Sequence, residues 1–157
     1  MTQPPSIRPR DRVELAGALI LIAAGGGALS YWLIGDQSFP GGEDHFFGPY
    51  QVNVTLLRVL GVVATLGFVY GLVTVVRRQR QRAYSVAWIV AALALIAAGA
   101  ATGFFWRVAT ATVVGANIGA GLLFTFAAFM WFIAAVALMV AIGLQYQLSH
   151  SQPPAQH

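Results

Sequence analysis

Four apolar runs, each long enough to cross a bilayer, take up most of this chain and leave little else to direct its folding. They lie at about Val13–Ile34, Val54–Val76, Tyr84–Trp106 and Ile118–Gln145. A membrane helix needs ~20 apolar residues, each rising about 1.5 Å. Lipid offers no partner to backbone N–H and C=O groups, so spanning segments must be helices or closed-barrel strands. The period-2 alternation of barrel strands is absent. The expected fold is all-α: four transmembrane helices in a bundle over residues 13–146, with tails at 1–12 and 147–157.

Charge content points the same way. Charged residues make up 9% of the chain, where a soluble domain carries ~25%. So few charges could not cover a water-soluble globule of this size. Cysteine is absent, which excludes disulfides, thiolate metal sites and iron–sulfur clusters. All nine basic residues are arginine, and the net charge is +4. The arginines cluster beside the apolar runs, so membrane topology explains them better than nucleic-acid binding. No nucleic-acid partner is expected.

Orientation follows from the same arginines. Arg8, Arg10 and Arg12 precede the first span, and Arg77, Arg78, Arg80 and Arg82 separate the second from the third. The connection Asp36–Asn53 has three carboxylates and no basic residue, and the last connection has Arg107 alone. Basic residues favour the cytoplasmic side, which places both termini and the central loop there. The expected location is a bacterial cytoplasmic (inner) membrane. A basic cluster before an apolar run also suits a signal peptide, and Gly27-Ala28-Leu29-Ser30 could pass for a cleavage site. The run is longer than a signal core of about 7–15 residues, so it is expected to remain as a helix.

Residues 18–32 and 92–106 match at more than half of their positions without a gap, at an offset of 74. Each segment follows an arginine cluster and opens a pair of spans. The pattern suggests two tandem two-helix hairpins in the same orientation, related by an axis along the membrane normal. Chance matches are common among spans built from Ala, Leu, Ile and Gly, and they account for the pattern equally well.

Small residues mark the expected packing faces. Helices in lipid associate through close backbone approach, not through a hydrophobic drive. Gly67-x-x-x-Gly71, Gly99-x-x-x-Gly103 and Gly115-x-x-x-Gly119 have that spacing, and Gly25, Gly26 and Gly27 sit together in the first span. Packing within one bundle explains most of them. Docking of a partner helix on Gly67, Gly71, Gly99 or Gly103 is the sharper reading. In the last span Phe124, Phe126, Phe129, Trp131 and Phe132 crowd the middle. Such rings usually face acyl chains, but Phe129, Trp131 and Phe132 are candidates to line a lipid or quinone groove.

Chemistry-bearing residues are few. Arg58 is the one charge well inside a span, about 6 Å past Val54 by helical rise. A snorkelling guanidinium explains it; pairing with Asp36, Glu43 or Asp44 is the next reading, and contact with a partner subunit or an anionic substrate is the third. Glu14 is expected as a first-turn carboxylate favoured by the helix dipole. Glu43, Asp44 and His45 are adjacent on a Gly/Pro-rich loop and more readily stay solvated than share an ion. No span holds a histidine, so intramembrane bis-histidine haem ligation is excluded. Neither a cofactor nor a metal is expected. The loop Asp36–Asn53 carries Phe46, Phe47 and Tyr50 among glycines and prolines, which suits docking to a membrane surface or a neighbouring protein.

The expected function is non-catalytic: an accessory or scaffold subunit of a larger membrane complex, respiratory or transport, in contact with membrane lipids. The alternative is a small transporter or channel acting as a self-associated homo-oligomer.

Overall fold

The computed structural model describes residues 9–35, 53–81, 85–111 and 116–150. They form four helices: α1 (Pro9–Ile34), α2 (Val54–Arg80), α3 (Ala87–Ala109) and α4 (Ala116–His150). All four are long and apolar enough to cross a membrane. Three outrun the apolar spans. α1 starts at Pro9, where a fixed φ and a missing N–H are harmless in a first turn. α2 runs on through Arg77, Arg78 and Arg80, whose charges suit the negative end of a helix dipole. α4 continues past Gln145 to His150, into residues expected to belong to the tail.

Two termini have explicit caps. Asn53 Oδ1 accepts the Thr55 N–H at 2.9 Å and starts α2. Gly35 ends α1 with φ +68° and donates its N–H to the Trp32 carbonyl at 3.3 Å. That conformation favours glycine.

The helices pack in the order α2–α1–α3–α4. α1 packs on both α2 and α3, and α4 packs on α3 alone, while α2 makes a small contact with α3. Contacts at the ends set the directions. Arg78 of α2 meets Asp11 and Glu14 of α1, and Trp32 of α1 meets Gly61 of α2, so the two are antiparallel. Phe105 packs edge-on against Phe124, and Ser85 meets Gln145, so α3 and α4 are antiparallel too. α1 and α3 run parallel, and the start of α1 and the end of α4 lie at the same end of the bundle.

Two kinds of seam hold this arrangement. On α4 the buried residues are Ala120, Ala127, Ala134 and Ala141, one every seven positions. A seven-residue repeat keeps one narrow stripe against a neighbour, and alanine lets α4 lie close to α3. The α1/α3 seam is glycine-based and tighter. α3 is the most enclosed helix, with Trp88, Ala91, Leu95, Ala98, Ala101 and Phe105 all buried.

Candidate functional site

The middle of α1 decides how its neighbours approach. A Cβ at Gly25 would lie 2.7 Å from Phe68 Cβ and 2.9 Å from the Ala64 carbonyl oxygen, both on α2. One at Gly27 would lie 3.1 Å from the Gly99 carbonyl oxygen on α3. Consecutive helical residues point about 100° apart. The glycine triplet therefore serves two crossings at one level. Across from it, a Cβ at Gly71 would meet the Ala18 carbonyl at 2.7 Å, and one at Gly67 would meet Leu21 at 3.1 Å. Cβ atoms at Gly99 and Gly103 would run into the carbonyl oxygens of Ala23 and Gly27. Ser30 Oγ adds a hydrogen bond to the Ala100 carbonyl at 2.9 Å. Gly67, Gly71, Gly99 and Gly103, the candidates for docking a partner helix, thus lie at crossings with α1.

A groove opens on the other side of α3. The backbones of α1 and α4 stay apart there, and α3 forms the floor. Its volume is about 580 Å³. α1 contributes Ala16, Ile20, Ala24 and Gly27 to one wall, and α4 contributes Trp131 and Leu138 to the other. Leu95, Gly99 and Thr102 are on the floor. The lining carries two polar groups, and they satisfy each other. Trp131 Nε1 donates to Thr102 Oγ1 at 2.9 Å, and Thr102 Oγ1 donates to the Ala98 carbonyl at 2.9 Å. An indole has one donor and a hydroxyl has one, so neither donor is left over for a ligand. Of the aromatic groove candidates, Trp131 lines this groove. Phe129 and Phe132 are exposed on α4 and do not.

Charged residues are confined to the ends. Where α1 begins, Arg78 reaches across from α2 to Asp11 Oδ1 at 2.9 Å and also to Glu14 Oε2. Glu14 therefore has a cross-helix partner as well as a favourable place in the helix dipole. Arg10, Arg12, Arg77 and Arg80 are exposed. At the opposite end Arg107 clasps the terminus of α1. Its Nε donates to the Gly35 carbonyl, its Nη1 donates to Tyr31 Oη at 3.3 Å, and its guanidinium lies 5.0 Å over the Tyr31 ring. A cation there satisfies a helix C-terminal carbonyl and faces a negative ring surface.

Arg58 lies at this same end, exposed on the first turns of α2, with no ion pair to a described residue. The acidic residues proposed to meet it, and the docking candidates Phe46, Phe47 and Tyr50, lie outside the described residues, as does Gly115. Among the described residues no group of His, Cys, Asp and Glu is placed to hold a metal ion.

Several features escaped the sequence reading, the Arg107 clasp among them. The Arg78 bridge was invisible because Arg78 sits in a run of arginines that topology already explains. The alanine repeat of α4 has a legible period of seven, but it is drowned by alanines at other positions. Compared with known families, curated proteins and solved structures, the chain matches none.

Proposed function

We propose that this chain is a multi-pass membrane protein, with both termini on the cytoplasmic side, serving as a non-catalytic accessory or scaffold subunit of a larger membrane complex. The observation that carries this reading is the distribution of polarity within the helix row. Its seams are closed mainly by Gly, Ala, aliphatic and aromatic side chains, and no charged side chain is buried among the described residues. A polar path between helices is what a transporter or channel would need. The groove beside α3 is apolar, and its two donors are already used. The edge helices α2 and α4 present long apolar faces, such as Val59, Leu66 and Val73 on α2. Such faces suit lipid and partner helices alike.

The docking corner in this reading is the outer end of α2. Arg58 stands exposed there, eight residues after Tyr50 in the chain. The tandem-hairpin reading also draws support from the packing. α1 and α3 are parallel central neighbours, and Gly27 meets Gly99 and Gly103, so positions 74 apart lie at similar depth. An axis along the membrane normal requires that. The same symmetry would suit the alternative, a homo-oligomeric transporter.

Purification in mild detergent followed by mass spectrometry of co-eluting chains tests the proposal. A stoichiometric larger assembly is expected, with Arg58→Gln lowering its yield. Recovery of a pure homo-oligomer would overturn the scaffold reading in favour of the alternative.

A further inference from the structure

We propose that the groove between α1 and α4 is a site for one anionic phospholipid, with an acyl chain in the groove and its phosphate at Arg12. The proposal rests on the membrane-spanning reading of the helices, but not on the scaffold role.

The lining first limits the occupant. A quinone or other carbonyl-bearing head would need a donor inside the groove. The two donors there, on Trp131 and Thr102, are spent on each other and on the Ala98 carbonyl. The remaining walls are aliphatic. What fits such a lining is hydrocarbon.

Length and depth come next. The α1 wall runs from Ala16 to Gly27, about 16 Å by helical rise. One leaflet of hydrocarbon is ~15 Å deep, half of a ~30 Å core. The groove therefore matches the chain of a lipid standing in the leaflet on the side of the chain ends. The Trp131–Thr102 hydrogen bond lies at its deep end.

Charge identifies the head. Arg12 is four residues before Ala16 and so sits on the same face of α1, one turn nearer the surface. It is exposed, and it makes no ion pair with a described residue. The two carboxylates beside it in sequence make no ion pair with it. Asp11 and Glu14 are held by Arg78 toward α2, on a different face of α1. Across the groove, Gln145 continues the Trp131–Leu138 stripe of α4 at the next seven-residue step and accepts the Ser85 N–H at 3.3 Å. Helical spacing thus puts a cation on α1 and an amide on α4 just beyond the end of the apolar lining. That order of chemistry is the order within an anionic phospholipid. Basic pockets on the cytoplasmic side of membrane helices recognise such head groups.

The test uses the full chain in mild detergent, titrated by native mass spectrometry with phosphatidylglycerol and phosphatidylcholine of identical acyl chains. Phosphatidylglycerol should be retained in preference. Arg12→Gln should weaken it about fivefold, the share of one arginine near a membrane surface, and should abolish the preference. Ala24→Phe or Leu138→Trp, each filling the slot, should weaken both lipids. Arg77→Gln, exposed on α2, should leave retention unchanged. Equal loss in Arg12→Gln and Arg77→Gln would overturn the site in favour of diffuse charge. Unchanged binding in both slot-filling variants would overturn it as well. Alkaline washing of membranes separates the two readings. Release of the chain would overturn membrane insertion and the site together. A retained chain with unchanged lipid binding would overturn the site alone.

Discussion

Gly103→Ala is the sharpest probe of the α1/α3 seam. The added methyl would meet the Gly27 carbonyl, with its carbon at 2.9 Å and Ser30 Cβ at 3.0 Å. These are mainly backbone atoms, so a rotamer change cannot relieve the clash and α1 must move away. Overpacking of this kind costs about 1–3 kcal/mol. The retreat also stretches the Ser30–Ala100 hydrogen bond, worth ~0.6 kcal/mol between membrane helices. Against these, alanine gains up to ~1 kcal/mol of helix propensity over glycine. The net is a destabilisation of about 1–2 kcal/mol, roughly a 5–30-fold drop in the folded-to-unfolded ratio. Gly143→Ala is the control, because a Cβ there meets nothing within 4 Å. It should be neutral or stabilising. Unfolding of the purified protein in mild micelles, titrated with dodecyl sulfate and followed by circular dichroism, measures both. If Gly103→Ala is as stable as Gly143→Ala, the seam does not depend on close backbone approach and the reasoning fails.

Three further outcomes are expected. Ala134→Leu should cost about 1–3 kcal/mol by forcing α4 off α3, while Ala135→Leu, on the exposed face, should be near neutral in the same titration; equal effects would refute the alanine seam. Arg78→Gln should cost no more than ~1 kcal/mol, because its ion pairs are partly exposed. Adding Asp11→Asn and Glu14→Gln to it should cost little more, and fully additive losses in a double-mutant cycle would show that the bridge is not formed. In a variant keeping Trp131 as its one tryptophan, Thr102→Val should remove the indole's acceptor and change the emission spectrum. An unchanged spectrum would mean that the hydrogen bond closing the groove is absent.

The helices were legible because apolar runs of bilayer length without the alternation of a barrel strand can satisfy their backbone only as helices. Their ends were less so. Pro9–Arg12 and Gln147–His150 are helical although polar, since hydrophobicity marks the apolar part of a helix and not where the helix stops. The glycine motifs announced close approach but not its target. Gly25 and Gly27 are two residues apart and serve different neighbours, which depends on how α1 is rotated about its axis. Trp131 could be suspected of lining a groove on grounds of size alone. That it does so while Phe129 and Phe132 do not follows from which stripe of α4 the alanine seam turns toward α3.

The sequence by itself determined the number and helical nature of the elements and where their apolar parts lie, and it placed every charge except Arg58 at or beyond the ends of those parts. Those properties depend on the length and apolar pattern of each segment, which each segment carries alone. Only the tertiary structure decided the order α2–α1–α3–α4, the partners of Arg78 and Arg107, and the groove that α4 leaves beside α1. Such features depend on the mutual fit of surfaces. In a chain written mostly in Ala, Leu, Val and Gly, many pairings look alike until the backbones are brought within contact distance.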